Sequence, residues 1–347
     1  MIFYVILTLI VILNLIMKKR KAYCIFVTSL LVLFAGLRSN ITGQDTPQYQ
    51  YIFNTFVGNS WDYCWNHRAY IEESSEIGYF ALNFFISRLA DFNMFKLICA
   101  AMTLIPACFI IYKYSKFPVL SFMVFFMLPI FSLLSMSAFR QGIAFGFCMY
   151  AYHFSIQKKI YPFLFCCCCA FLFHRTSVVI LPIYLINYVQ YRKNWGWMIY
   201  GVLGGIAYVS DRIFSFILQF SRIAYDFGDA GGGRMLVFLL ALALFSYFVS
   251  EKKLNETTNK YALYSLYMTI AFWLIGMNLA AIFRLAAYTE FLICIYIANT
   301  LSSIRLPLLR KGILVVSCIV CLFIMQHLVL NSHHEYPVNP YYFVWEK

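Results

Sequence analysis

Acidic side chains are scarce in this chain: 14 Asp and Glu stand against 27 Lys and Arg in 347 residues, a formal net charge of +13. Charged residues of both signs make up only 12% of the sequence and apolar residues 63%. So little polar surface excludes a water-soluble globule, and no soluble domain of useful size fits between the apolar runs. Those runs recur roughly every 20 to 30 residues without period-two alternation, which speaks against a membrane β-barrel and leaves helices. There is no glycine-rich nucleotide loop and no Asp-x-Asp pair in a soluble domain, so nucleotide-activated donors and nucleic-acid partners are not expected.

Cysteine is not scarce, with 12 copies, but Cys166 to Cys169 form an unbroken run inside an apolar segment. They have neither zinc spacing nor a redox pair and read as small packing residues. The first 17 residues lack a basic start and a small-residue cleavage site, and they end in Lys18-Lys19-Arg20-Lys21. They are expected to form a retained first span rather than a cleaved signal. His333, His334 and Glu335 lie on a tail, where neighbouring histidines are no sign of a metal; no metal or cofactor is expected.

Spans are predicted near 1–17, 22–37, 94–112, 117–135, 138–156, 160–174, 176–191, 195–209, 234–250, 261–279, 284–301 and 312–330. Residues 76–91 are too short and too charged to cross comfortably and are expected to form an interfacial or re-entrant helix. The predicted fold is all-α, a polytopic integral membrane bundle of about 12 transmembrane helices forming one domain over 1–347.

Basic residues divide by type. Sixteen of them, twelve Lys and four Arg, fall in the short turns at 18–21, 113–116, 158–159, 192–193, 252–260 and 305–311. Retained lysine marks the cytoplasmic face. The other eleven, nine Arg with Lys96 and Lys347, fall on the opposite side, in or near the long loops 38–75 and 210–233 and the tail 331–347. Arginine there works against the orientation rule, and its rigid fork suits phosphate oxygens; snorkelling to anionic headgroups is the competing explanation.

Lys96, Arg140, Arg175, Arg234 and Arg284 sit at the start of helices that run inward. A helix N-terminus already carries partial positive charge, so these placements suggest a bound anion. Counting ~1.5 Å per residue from the nearest cytoplasmic lysine puts His174 at ~22 Å, Arg38 at ~25 Å, and Arg140 and Arg234 at ~27 Å. Against a hydrocarbon core of ~30 Å these groups share one level near the outer surface. Ionisable groups at that depth usually face a wet cavity. Gly142 and Gly146, four apart beside Arg140, suit close helix packing. Asp45, after Gly43, is a general base or the cap of the helix after Pro47, and Glu76 poses the same choice. His174 is structural or a catalytic group titrating near neutral pH. Trp61, Trp65, Tyr336, Tyr341, Tyr342 and Trp345 suit either an interfacial belt or sugar stacking.

Arg38 with Gly43-Gln44-Asp45 and Tyr49, Glu76-Ile77-Gly78-Tyr79, Phe139-Arg140-Gln141-Gly142-Ile143-Ala144, Phe173-His174-Arg175-Thr176-Ser177, and Arg284 with Tyr288 together resemble the EpsG family of bacterial polysaccharide polymerases, a group overlapping Wzy-type O-antigen polymerases. The resemblance implies a GT-C-like membrane glycosyltransferase of the bacterial inner membrane, multi-pass, with its site and long loops facing the periplasm. Its substrates would be oligosaccharide repeat units on undecaprenyl pyrophosphate, joined without a metal, and a chain-length regulator protein would be a candidate partner. Arg38, Arg140, Arg175, Arg234 and Arg284 are the expected pyrophosphate ligands. Asp45, ahead of His174, is the expected base beside Arg140. Tyr49, Glu76, Tyr79, Gln141 and Tyr288 are the expected sugar or acceptor contacts. A flippase or transporter of the same lipid-linked sugar fits less well, because no internal repeat is visible and the charges gather at one face. An O-antigen ligase is the rival within the enzyme class.

Overall fold

The computed structural model describes residues 2–68, 76–193, 198–199, 201–205, 208–209, 233–276, 282–302 and 341–346. Their regular structure is helical, with no strand among the described residues beyond an isolated bridge pairing Arg38 with Phe343. In chain order the helices are α1 (Ile2–Ile16), α2 (Arg20–Gly36), α3 (Thr46–Phe56), α4 (Trp61–Asn66), α5 (Ile77–Ile86), α6 (Phe92–Tyr114), α7 (Pro118–Met127) and α8 (Pro129–Ser132). There follow α9 (Phe139–Ile156), α10 (Ile160–Phe173), α11 (Gly233–Phe245), α12 (Glu251–Leu254), α13 (Thr257–Gly276), α14 (Phe283–Glu290) and α15 (Ile293–Leu301).

These helices fall where the apolar runs put them, but they are less regular than twelve plain crossings. Among the described residues α6 alone is a single helix long and apolar enough to cross a bilayer; α7 with the segment from Pro129 to Ser137 passes the same test as a pair bent by 73°. The expected span at 312–330, parts of that at 195–209, and the loop 210–233 except its last residue lie outside the described residues. The short α5 takes the place of the expected interfacial helix.

Proline explains the bend. Pro129 forces Leu128 into extended backbone (φ −66°, ψ 139°), so the helix expected over 117–135 breaks there. It restarts as α8 and relaxes into a π turn, Leu133–Ser137, leaving the Met136 carbonyl free to face another segment. Pro106 acts similarly inside α6: lacking an N–H, it leaves the Met102 carbonyl without its helical donor. Gly146 of α9 packs onto that carbonyl so closely that an added Cβ would lie 2.1 Å from the oxygen. Gly142 makes the same approach to Leu134, at 2.0 Å. The two glycines therefore seat α9 against α6 at its proline and against the π turn, the close packing their spacing predicts.

The segment Arg175–Tyr188, expected as an ordinary span, is a 3₁₀ helix of 14 residues. At ~2.0 Å per residue it reaches ~28 Å, against ~21 Å for an α-helix of that length. The tighter winding thus lets a short stretch cover nearly the thickness of a hydrocarbon core.

The two ends of the bundle differ. At one end the lysine-bearing turns meet: Arg20 donates to Ser115 O at 2.6 Å, Lys116 pairs with Glu256 at 2.9 Å, Lys260 donates to Val189 O at 2.9 Å and Lys193 to Tyr247 O at 2.7 Å. Asn299 ties two of these turns, accepting from Lys116 N at 2.7 Å and donating to Tyr114 O at 3.1 Å. At the other end α3, α4 and α5 fold over the bundle as an aromatic cap of Tyr49, Phe53, Phe56, Trp61, Trp65, Tyr79 and Phe80. Trp61 meets Phe80 and Phe84 edge-on, each at 5.0 Å, and ties α4 to α5. The tail returns to this same end, where Val344 N donates to Leu37 O at 2.9 Å and Tyr341 stacks on Phe34 at 4.6 Å.

Candidate functional site

Under the cap, the start of α9, the junction after α10 and the residue before α5 converge on one carboxylate. Glu76 occupies the N-cap position of α5 in extended backbone, yet its side chain makes no capping bond. Instead Arg140 Nη1 donates to Oε2 at 2.8 Å and His174 Nδ1 donates to Oε1 at 3.0 Å. The side chain is therefore not the cap of α5. Gly78 allows α5 to approach α10, since an added Cβ would meet Leu172 O at 2.9 Å. His174 lies where α10 stops and the 3₁₀ helix starts, with extended backbone (φ −160°, ψ 117°). Its N–H still bonds Ala170 O at 2.9 Å, so the ring sits on a fixed junction.

Burial alone would raise the Glu76 pKa, but the hydrogen bond from His174, the charge of Arg140 and the remaining bonds outweigh it and hold the carboxyl below the usual glutamate range. Glu76 is therefore an anion between two donors.

Asp45 stands at the N-cap of α3 and, like Glu76, makes no capping bond with its side chain. Burial pushes its carboxyl above the ordinary value, against the pull of Arg284 and then Arg140. Those two guanidiniums thus act on one aspartate, which joins α3, α9 and α14 electrostatically. The Asp45 loop is placed by Gly43, whose φ of +97° and close approach to the Met136 carbonyl, 2.2 Å from an added Cβ, exclude a side chain. Gln44 N donates to Ser137 Oγ at 3.3 Å and fixes the same loop on the π turn.

Several expected site residues have other work. Arg38 is fully buried, and its guanidinium donates to Met136 O at 2.7 Å, Thr42 O at 3.2 Å and Ala35 O at 2.5 Å, with Phe139 beneath it at 5.0 Å. It is closed to a pyrophosphate, because carbonyls of α2, its own loop and the π turn occupy it. Lys96, whose placement suggested an anion, is also buried and donates to Arg38 O and to Asn40 Oδ1. Tyr49 stacks on Phe139 at 4.7 Å and meets Tyr79 edge-on at 5.7 Å; both tyrosines are packed in the cap and not offered to a sugar. Gln141 is buried and donates to Arg284 O at 2.5 Å, fastening α14 to α9. Tyr288 is buried against Thr176, their hydroxyls 3.3 Å apart. Arg175 is exposed and makes no hydrogen bond or ion pair among the described residues, while Arg284 is exposed at the start of α14. The side chain of Arg234 and the residues His333, His334 and Glu335 lie outside the described residues.

Sequence reasoning missed that Glu76 joins Arg140 and His174, although the scarcity of acids made every carboxylate at this level a candidate. It also missed the return of residues 341–346, for which the aromatic tail was the available signal.

Such an arrangement, cations and carboxylates gathered under an aromatic cap at one end of an apolar helical bundle, defines a membrane protein with a polar site at one level. The chain belongs to the EpsG family, whose model matches residues 21–343, and that family is one of Wzy-like polymerases. Membership makes it a membrane protein of the polysaccharide-polymerase type. Neither the curated proteins nor the solved structures contain a match.

Proposed function

We propose that this protein is a multi-pass inner-membrane polymerase that lengthens oligosaccharide repeat units carried on undecaprenyl pyrophosphate, working on the periplasmic face. The observation that carries the reading is the meeting of Arg140 and His174 on Glu76, with Asp45 within the electrostatic reach of Arg140 and Arg284.

In the reaction, a terminal hydroxyl of the incoming unit attacks the anomeric carbon of the growing chain. The new C–O bond forms as the bond from that carbon to the diphosphate oxygen breaks, and the electron pair stays on the diphosphate. Arg140 and Arg284 offset the charge that develops there, preorganised donors being worth most where water is partly excluded. The hydroxyl proton passes to a base, for which Asp45 and His174 are the groups at hand. Arg38 supports this site from behind, and Arg175 and Arg234 remain candidates for the diphosphate's outer oxygens. The lysine-bearing end faces the cytoplasm in this reading, as retained lysine does.

The test is to give the purified protein, in lipid nanodiscs, lipid-diphosphate repeat units and nothing else. Chains longer than one unit support the proposal, and Arg140→Ala should leave single units only. Translocation of the lipid-linked sugar without elongation would replace the reading with a flippase. Elongation that requires a lipid A core acceptor would replace it with a ligase.

A further inference from the structure

We infer that Glu76 is a positioning residue that holds His174 with its proton on Nδ1, leaving Nε2 as the base that takes the acceptor hydroxyl's proton. This rests on the polymerase reading and goes beyond it by choosing between two bases.

The argument begins with what an ionised carboxylate can do, which is accept only. Oε1 of Glu76 lies 3.0 Å from Nδ1 of His174, so Nδ1 is the nitrogen that carries hydrogen. In the neutral ring the lone pair is then on Nε2. No bond to Nε2 is made among the described residues. The side chain of His174 is 19% exposed and that of Glu76 only 6%, so the histidine is the more accessible of the two.

Arg140 completes the device. A protonated Glu76 could donate to Nδ1 and drive the hydrogen to Nε2, the wrong edge for a base. The guanidinium 2.8 Å from Oε2 keeps the carboxyl ionised, and with it the tautomer. One arginine thus serves the leaving diphosphate and, through Glu76, the proton acceptor.

Asp45 is less suited. Burial raises its pKa against the smaller pull of Arg284 and Arg140, but among the described residues no partner is placed to receive the proton's charge, whereas a proton on Nε2 creates an imidazolium directly against the Glu76 anion. When the acceptor O–H bond breaks, the hydrogen goes to Nε2 and the oxygen's electron pair forms the bond to the anomeric carbon. The diphosphate leaves with its own pair, and the imidazolium gives its proton to water before the next cycle.

Two independent measurements test this. The first is nitrogen-15 NMR of histidine-labelled protein in nanodiscs near pH 8, with the His174 signals assigned by their absence in His174→Asn. The Nδ1–H form is expected in the native protein and a mixture of tautomers in Glu76→Gln, whose amide offers a single acceptor to two donors. A native His174 protonated on Nε2 overturns the inference whether or not the protein polymerises.

The second measurement is the initial rate on lipid-diphosphate repeat units. Glu76→Gln and His174→Asn should each lower kcat about 100-fold or more, with the donor's KM little changed. The double variant should be no slower than the worse single one, because the two residues act as a unit. Added imidazole should restore part of the rate to His174→Ala and none to Arg140→Ala. Melting curves of each variant separate misfolding from lost chemistry, and Glu76→Asp, which keeps the anion, should recover part of the rate. Multiplying losses in the double variant, or full activity in His174→Asn, overturns the assignment. Absence of any elongation by the native protein defeats the polymerase reading itself, while the NMR result still reports the His174–Glu76 pair.

Discussion

Arg38 and Arg140 sit at the same end of the bundle, the first packed on the start of α9 and the second within its first turn, and the protein treats them in opposite ways. Arg38 is enclosed by backbone carbonyls from α2, its own loop and the π turn, with an aromatic ring beneath. Arg140 keeps a side chain 19% exposed and meets a carboxylate that also holds a histidine. A cation enclosed by carbonyls is committed to the scaffold; one paired with an anion that a histidine shares belongs to a polar cluster that solvent partly reaches. Position along the chain puts both arginines at the membrane's edge, but only their partners separate scaffold from site.

The sharpest way to break that comparison is to remove the enclosed arginine. Arg38→Ala leaves the carbonyls of Met136, Thr42 and Ala35 without this donor in a buried place. Thr46 Oγ1 still reaches Met136 O and Thr42 O but has one hydrogen to give, and each unsatisfied buried group costs about 1 to 3 kcal/mol, so a loss of about 2 kcal/mol or more is expected. Thermal unfolding of the purified variant and its accumulation in the membrane report it. If Arg38→Ala melts like the native protein yet makes no polymer, Arg38 belongs to the site and the distinction fails.

Gly43→Ala presses on the link between the two arginines, because the loop it shapes carries Asp45 and leans on the carbonyl that Arg38 binds. A residue with a Cβ at φ +97° is strained, and that atom would lie 2.2 Å from Met136 O. A loss of about 1 to 3 kcal/mol is expected, with a drop in elongation rate as Asp45 moves. Unchanged melting and unchanged chain length would show that the loop does not place the aspartate.

The sequence disclosed the helices better than their partners. Phe92–Tyr114 and Phe139–Ile156 nearly coincide with the runs predicted at 94–112 and 138–156, because each lies between a basic turn and a polar loop. Pro129 was in view, but its consequence, a 73° bend that frees the Met136 carbonyl for Arg38, depends on a segment 98 positions away. Glu76 was recognisable as an acid with a choice to make; its two partners are 64 and 98 positions distant, and no local spacing records such a meeting. Tyr49, Tyr79 and Tyr288 are sugar contacts only by resemblance, and a tyrosine in a motif looks the same whether it is covered or not. The 3₁₀ winding after His174 was likewise hidden, since an apolar run has no mark that separates it from an α-helix.

Asp45→Asn tests the half of the comparison that concerns stored cost. Burial raises the Asp45 pKa in the folded protein, so folding favours its protonated form. The contribution is fully present below the unfolded value, ~3.9, and is lost as pH rises through the raised folded value. Asparagine removes the ionisation, so the variant should match the native protein in acid and melt slightly higher at pH 8, while elongation slows. The gain is small because the group is only partly enclosed and solvent screens it. A variant less stable than the native protein at pH 8 would mean that the two guanidiniums stabilise the ionised aspartate more than burial opposes it.

The smallest effect belongs to the lysine end. Lys116 and Glu256 form an ion pair at 2.9 Å, but their side chains are 46% and 48% exposed. Such pairs contribute about 0.5 kcal/mol, less in salt. What joins these turns is the buried Asn299, whose oxygen accepts from the Lys116 amide and whose amide reaches Tyr114 O and Asn259. Lys116→Ala keeps that backbone bond and should leave both melting temperature and chain length near native. A large loss of stability from this one side chain would mean that charge, not neutral amides, holds the inner turns together. Charge would then be structural at both ends, and the contrast drawn from Arg38 and Arg140 would no longer mark the site.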